Sequence, residues 1–138
     1  MPTSKEFTIR MLDQPGTLGK TCRALADRGV NILAFQSFPA GAGESQVRLV
    51  ADNPIITKSV LESQGLATSE ADVVQVKLPH RPGELARAAS RLGEANININ
   101  YTYSGLEPGT NTPLVFFGVV EIAEAVTTLD QLAAAAGT

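Results

Sequence analysis

Two stretches of this chain are copies of one pattern. Phe7–Ser37 reads FTIRMLDQPGTLGKTCRALADRGVNILAFQS, and Val74–Ser104 reads VQVKLPHRPGELARAASRLGEANININYTYS. The offset is a constant 67, which is 82 − 15 for the prolines and 98 − 31 for the asparagines. Pro15-Gly16-x-Leu18 answers Pro82-Gly83-x-Leu85, Leu25 answers Leu92, and Val30-Asn31-Ile32 answers Ile97-Asn98-Ile99. A gapless repeat of this length means two copies of one structural unit, so a site built by one copy has a counterpart in the other. In a chain of 138 residues each copy spans about 60–70 residues, a size that buries little apolar surface alone. The expected units are residues 1–71 and 72–138, each leaning on the other or on a second chain.

Within the first copy, Phe7, Ile9 and Met11 alternate with Thr8 and Arg10. Period two with one apolar side predicts a half-buried strand over Glu6–Leu12. Pro15-Gly16 then breaks the chain into a helix whose apolar positions read Leu18, Cys22, Leu25 and Ala26. Gly29 closes it with a left-handed residue. Val30–Phe38 and Ser45–Ala51 read as strands around a hairpin at Pro39–Gly43, and Asn53-Pro54 reads as the cap and first residue of a helix closed by Gly65. A short fourth strand is expected within Leu66–Asp72.

The second copy repeats this order. A strand over Asp72–Pro79 leads to a helix carrying Leu85, Ala89 and Leu92, then strands over Ile97–Ser104 and Leu114–Val120. A last helix carries Ile122, Val126, Leu129 and Ala133, and no fourth strand follows it. The second unit is therefore expected to be truncated or to borrow an edge. The β-α-β-β-α-β order predicts an α+β fold of two ferredoxin-like units, each an antiparallel sheet with both helices on one face. On the second strand, Val30 and Ile32 are assigned to the helix side, and Leu33 and Phe35 to the uncovered face. By the same assignment Tyr101 and Tyr103 lie on the helix-covered face.

Composition narrows the function. The net charge is −3 with a pI near 5.1, and no cluster of Lys and Arg stands out, which argues against nucleic acid or an anionic membrane as partner. No apolar run approaches the ~18 residues of a membrane span, nor is there a signal-type run near the N-terminus, so a cytoplasmic location is expected. His80 is the one histidine and Cys22 the one cysteine. A Cys–His nucleophile pair would need Cys22 to leave its apolar face, no metal-spaced cluster exists, and no carboxylate pair stands out from the ordinary scatter of Asp and Glu, so neither catalysis nor a cofactor or metal is expected.

The chemistry that remains is at the strand–helix junctions. A helix start offers unpaired N–H groups and partial positive charge, and Gly16 and Gly83 let a ligand approach the backbone. Asp13 or His80 lies two residues before each proline, and Asn31 or Asn98 sixteen after it. Donors with an acid and an amide suit an α-amino acid, although Pro-Gly is also ordinary turn chemistry.

The pattern D-x-P-G-x-L, then G-V-N-I sixteen residues on, then β-β-α, resembles the ACT domain, a small ligand-sensing module of amino-acid metabolism. The likeness runs over almost the whole chain, twice. It implies paired units binding a free amino acid at their seam, allosteric regulation of an unidentified protein partner in trans, and a homodimer. The alternative it leaves is an oligomerisation module with no ligand. Carried over by position, the resemblance makes Asp13, Gly16, Thr17 and Leu18 one set of ligand-binding residues and His80, Gly83, Glu84 and Leu85 the other. In serine-sensing members the Asn comes from the paired unit, which would give Asn98 to the Asp13 loop and Asn31 to the His80 loop. Two positions depart from those members. Met11 and Leu78 stand where they carry histidine, and Asp13 and His80 where they carry a neutral amide. Unequal sites are expected, with the Asp13 loop the better one.

Overall fold

The computed structural model describes residues 3–136; Met1, Pro2, Gly137 and Thr138 lie outside them. The elements are β1 (Thr3–Leu12), α1 (Thr17–Asp27), β2 (Ile32–Gly41), β3 (Glu44–Ala51), α2 (Pro54–Ser63), β4 (Ala67–Lys77), α3 (Glu84–Glu94), β5 (Tyr101–Leu106), β6 (Pro113–Gly118) and α4 (Ile122–Ala136). The chain divides into an N-terminal unit, Lys5–Ala71, and a C-terminal unit formed by Asp72–Thr138 with Met1–Ser4. The expected fourth strand of the first copy and first strand of the second are one continuous element, β4, which the unit boundary cuts. The start of the chain groups with the C-terminal unit, where Ser4 Oγ donates to Gln75 Oε1 on β4 at 2.5 Å.

In the N-terminal unit β3 is flanked by β1 and β2, both antiparallel to it, with Phe7 opposite Leu49 and Ile9 opposite Val47. The alternating strand residues Phe7, Ile9, Met11, Val47 and Leu49 form a core with Leu25 of α1 and Val60 and Leu61 of α2. The C-terminal unit repeats the plan, with β6 between β4 and β5. There Val74, Val76, Val115 and Phe117 pack with Ala88 and Leu92 of α3 and Leu129 of α4. Burying each large side chain stabilises its unit by about 1.5–3 kcal/mol. Turn chemistry repeats as well. Gly29 sits at φ 73° and its counterpart Asn96 at φ 60°, a left-handed position that Asn tolerates. Asn53 caps α2 by accepting the Ile56 N–H at 3.1 Å, with Pro54 the first helical residue.

Three expectations need correction. The inward stripe of the first helix of each unit is Thr21 and Leu25 in α1, and Glu84, Ala88 and Leu92 in α3. Leu18 and Leu85 are 37% and 52% exposed, and Ala26 is exposed, so the stripe is rotated from the one read in the sequence. In α4 it is Leu132, rather than Ala133, that is buried.

The second correction is a shift in register between Ile32 and Ala34. The extra residue turns the strand over. Phe35 then pairs with Leu49 on the helix side, while Ala34 pairs with Val50 on the other face. Ala34 and Val50 are each 1% exposed, so the face away from the helices is buried here as well. Glu6 is on this face too, its Oε1 4.0 Å from Arg48 Nε.

The third concerns the tyrosines. Thr102 opposes Phe117 on the helix side, so Tyr101 and Tyr103 lie on the opposite face. Tyr103 stacks on Phe116 with centroids 5.4 Å apart, and Tyr101 follows it at 6.4 Å. The Tyr101 ring lies across Gly118, where an added Cβ would come within 2.2 Å of it.

That contact makes a test. Gly118→Ala must displace the Tyr101 ring, and should cost about 1–3 kcal/mol in urea unfolding, with loss of near-UV tyrosine dichroism. An unchanged spectrum and midpoint would mean that the ring does not lie there.

Candidate functional site

In each unit the loop after the first strand turns the chain onto a helix through a glycine at φ 89°. Gly16 and Gly83 hold the N-cap positions of α1 and α3, and neither helix has a side-chain cap. Their first turns differ in charge. That of α1 holds no acid, whereas that of α3 holds Glu84. Glu84 is only 7% exposed, and its Oε1 accepts from Arg81 Nε at 2.7 Å while Oε2 lies 3.7 Å from an Arg87 nitrogen. A carboxylate so placed faces the positive end of the helix and two guanidinium groups. Its counterpart Thr17 is half-buried and carries no charge.

A cavity of about 410 Å³ opens beside the β4–α3 loop, within the C-terminal unit. His80, Arg81, Glu84 and Leu85 line one side of it, and Ser104, Gly105 and Leu106 of β5 another. Leu78, Pro113 and Val115 complete a wall that is mostly apolar. Three of the expected ligand residues, His80, Glu84 and Leu85, therefore meet at one cavity, and Gly83 sits in the same turn. Arg81 also meets it and was missed. Its signal was Arg81-x-x-Glu84-x-x-Arg87, a spacing that brings both cations to one carboxylate.

The hairpin wall is held by Glu107. Its carboxylate lies 2.6 Å from Lys77 Nζ and also accepts from Thr110 Oγ1 at 2.9 Å. The bond from Lys77, with a second from Thr110, lowers its pKa below the ordinary carboxylate value.

The Asp13 loop is arranged differently. Asp13 accepts from Ser45 Oγ at 3.0 Å, and its N–H donates to the Gly43 carbonyl at 2.9 Å. Asp13, Gly16 and Leu18 are exposed. Leu18 lines a separate apolar cavity of about 320 Å³ with Cys22, Ile32 and Phe35, inside the N-terminal unit. Cys22 is half-buried rather than enclosed, and burial raises its thiol pKa.

Asn31 and Asn98 are both exposed, and neither lines the cavity beside His80. The Asn31 N–H donates to Asp52 Oδ1 at 2.9 Å, and its carbonyl accepts from the Asp52 N–H at 3.0 Å. The Asn98 amide donates to Asn100 Oδ1 at 2.9 Å. Among the described residues no group of three His, Cys, Asp or Glu could hold a metal ion, and no helix is long and apolar enough to cross a membrane.

Two outcomes test this geometry. Gly16→Ala and Gly83→Ala each meet no atom within 4 Å of the new Cβ, so any loss is conformational. Each should cost about 1–2 kcal/mol in denaturant unfolding. A neutral result would mean that the left-handed turn is not needed. For Glu107 the folded pKa is the lower one, so its stabilisation is present above the unfolded value and is lost as pH falls through the folded one. Lys77→Met should raise the Glu107 pKa, read by carboxyl NMR titration, and flatten the acid limb of the stability curve. An unmoved titration would show that Lys77 is not the cause.

Comparison with known proteins agrees with this architecture. Residues 6–63 match the family model of the ACT domain. No curated protein sequence matches the chain. Among solved structures, protein BT0572 from Bacteroides thetaiotaomicron is similar with a TM-score of 0.82 at 22% identity, over 94% of this chain and 88% of that one. The ligand-free regulatory subunit of aspartate kinase from Thermus thermophilus gives 0.64 at 19% identity, over 94% and 91% of the two chains. The corresponding subunit from Thermus flavus gives 0.60 at 16% identity, over 95% and 92%. These likenesses extend the shared fold beyond the matched segment to nearly the full length.

Proposed function

We propose that this protein is a non-catalytic sensor that binds a free amino acid at its strand–helix loops and regulates a partner protein in trans. The observation that carries the reading is the cavity of about 410 Å³ at the β4–α3 loop, lined by His80, Glu84 and Leu85. Its volume lies within the range of small-molecule sites, and its few polar groups converge on one side of an apolar wall. The ACT domain in the first copy supports it, since the module is a ligand-sensing one by resemblance. The regulatory subunits of aspartate kinase share the fold over nearly their full length.

In this proposal His80, Gly83, Glu84 and Leu85 form the principal position, whose cavity Asn31 and Asn98 do not line. Asp13, Gly16, Thr17 and Leu18 form the second position. It is the weaker one, reversing the expectation from sequence, because of its four residues only Leu18 lines the cavity beside α1. The second copy is a second ACT unit, and the working state is a cytoplasmic homodimer. One observation favours the rival reading, a pairing module without ligand. Phe35 is 64% exposed at the rim of the apolar cavity beside α1, a surface suited to burial against another chain.

The test is a thermal-shift screen of the twenty proteinogenic L-amino acids with the full chain. At least one should raise the melting temperature with a concentration dependence that saturates, as a ligand binding only the folded state must. Indifference to all twenty would leave the pairing module.

A further inference from the structure

We propose that the cavity beside His80 selects an amino acid with an aliphatic side chain, its ammonium turned toward Glu84 and its carboxylate toward Arg81. This rests on the preceding reading and adds to it the side-chain class and the orientation of the ligand. The apolar lining includes Leu78, Leu106, Pro113 and Val115. Leu85 and Leu106 are each 52% exposed at its edge. An aliphatic side chain laid there removes both surfaces from water. A hydroxyl or a charge laid against those four side chains would lose its own hydration with no polar partner among them.

The orientation follows from Glu84. A helix start ordinarily favours a ligand's carboxylate, but α3 already holds one there, with a side chain only 9% exposed. A second carboxylate at the same place would be repelled, whereas an ammonium adds an opposite charge beside a shielded anion. Arg81 is 62% exposed and uses Nε on Glu84. Arg81 lines the cavity, and a guanidinium bonded through Nε keeps further donors in a planar fork that suits a carboxylate. The pair therefore presents both poles that a zwitterion needs, next to an apolar wall.

Isothermal titration of the full chain with L-leucine, L-serine, 4-methylpentanoate and isopentylamine tests each part. L-Leucine should bind at least about tenfold more tightly than L-serine, and both single-pole analogues should lose about tenfold or more against L-leucine. Glu84→Gln should weaken L-leucine about tenfold without weakening 4-methylpentanoate. Leu106→Ser, at an exposed position, should weaken L-leucine several-fold with an unaltered melting temperature in the absence of ligand. L-Serine binding as tightly as L-leucine would overturn the selectivity while leaving an amino-acid sensor in place. Unchanged affinity in Glu84→Gln would overturn the orientation. Binding by no amino acid at all would remove the parent reading as well.

Discussion

Each unit depends on one sheet face being buried beneath its helices. Phe7, Ile9 and Met11 on β1, and Val74 and Val76 on β4, can reach Leu25 or Leu92 only if every second residue points the same way. That requirement fixes which residues at the strand end face the loop. It also requires the chain to reverse sharply after Leu12 and after Pro79, so that the following helix lands on the same face. A left-handed residue makes the reversal, and only glycine takes that conformation without strain. The loops that could hold a ligand are thus a consequence of how each core closes.

The rotation of the helices on that core decides what the loops present. With Glu84 and Ala88 turned inward, Leu85 moves to the flank and becomes part of a cavity wall rather than part of the core. The same rotation in α1 turns Thr21 inward, where its hydroxyl bonds the Thr17 carbonyl at 3.4 Å and its methyl packs. Burying a carboxylate as the price of that rotation is tolerable only because Arg81 and Arg87 stand three residues on either side. The candidate surface and the packing solution are the same event.

Much of this was legible in the residues alone. The repeat, the β-α-β-β-α order, the Asn53-Pro54 helix start and the left-handed glycines depend on local spacing, and local spacing is what a sequence displays. The features that escaped depend on pairing partners distant along the chain. The shift between Ile32 and Ala34 exists because β2 must match β3, and it reverses the face of Phe35. No run of apolar residues announces it. Tyr101 and Tyr103 changed faces for the same reason, their register being set by Gly118 and Phe116 on β6. The helix stripe was misread because Thr21 and Glu84 count as polar by type, whereas satisfied polar groups bury readily. At the candidate site, His80, Gly83, Glu84 and Leu85 were legible by position, while the partnership of Glu84 with Arg81 was visible only as an unremarked spacing.

The two copies have diverged where a shared ancestry of pattern would least constrain them. Core positions keep their character across the offset, Leu25 for Leu92 and Phe7 for Val74, because both sheets must be covered in the same way. Loop positions do not. Asp13 stands against His80 in the loops and Thr17 against Glu84 at the helix starts they lead into, each pair a change of charge or polarity at the same place in the fold. Ser45 bridges the loop of one unit by donating its hydroxyl hydrogen to Asp13, while Pro113, at the matching strand position, has no side-chain donor with which to bridge the other. Pro113 and His80 both line the cavity of that unit, where the other unit has the Ser45–Asp13 bond at the matching place.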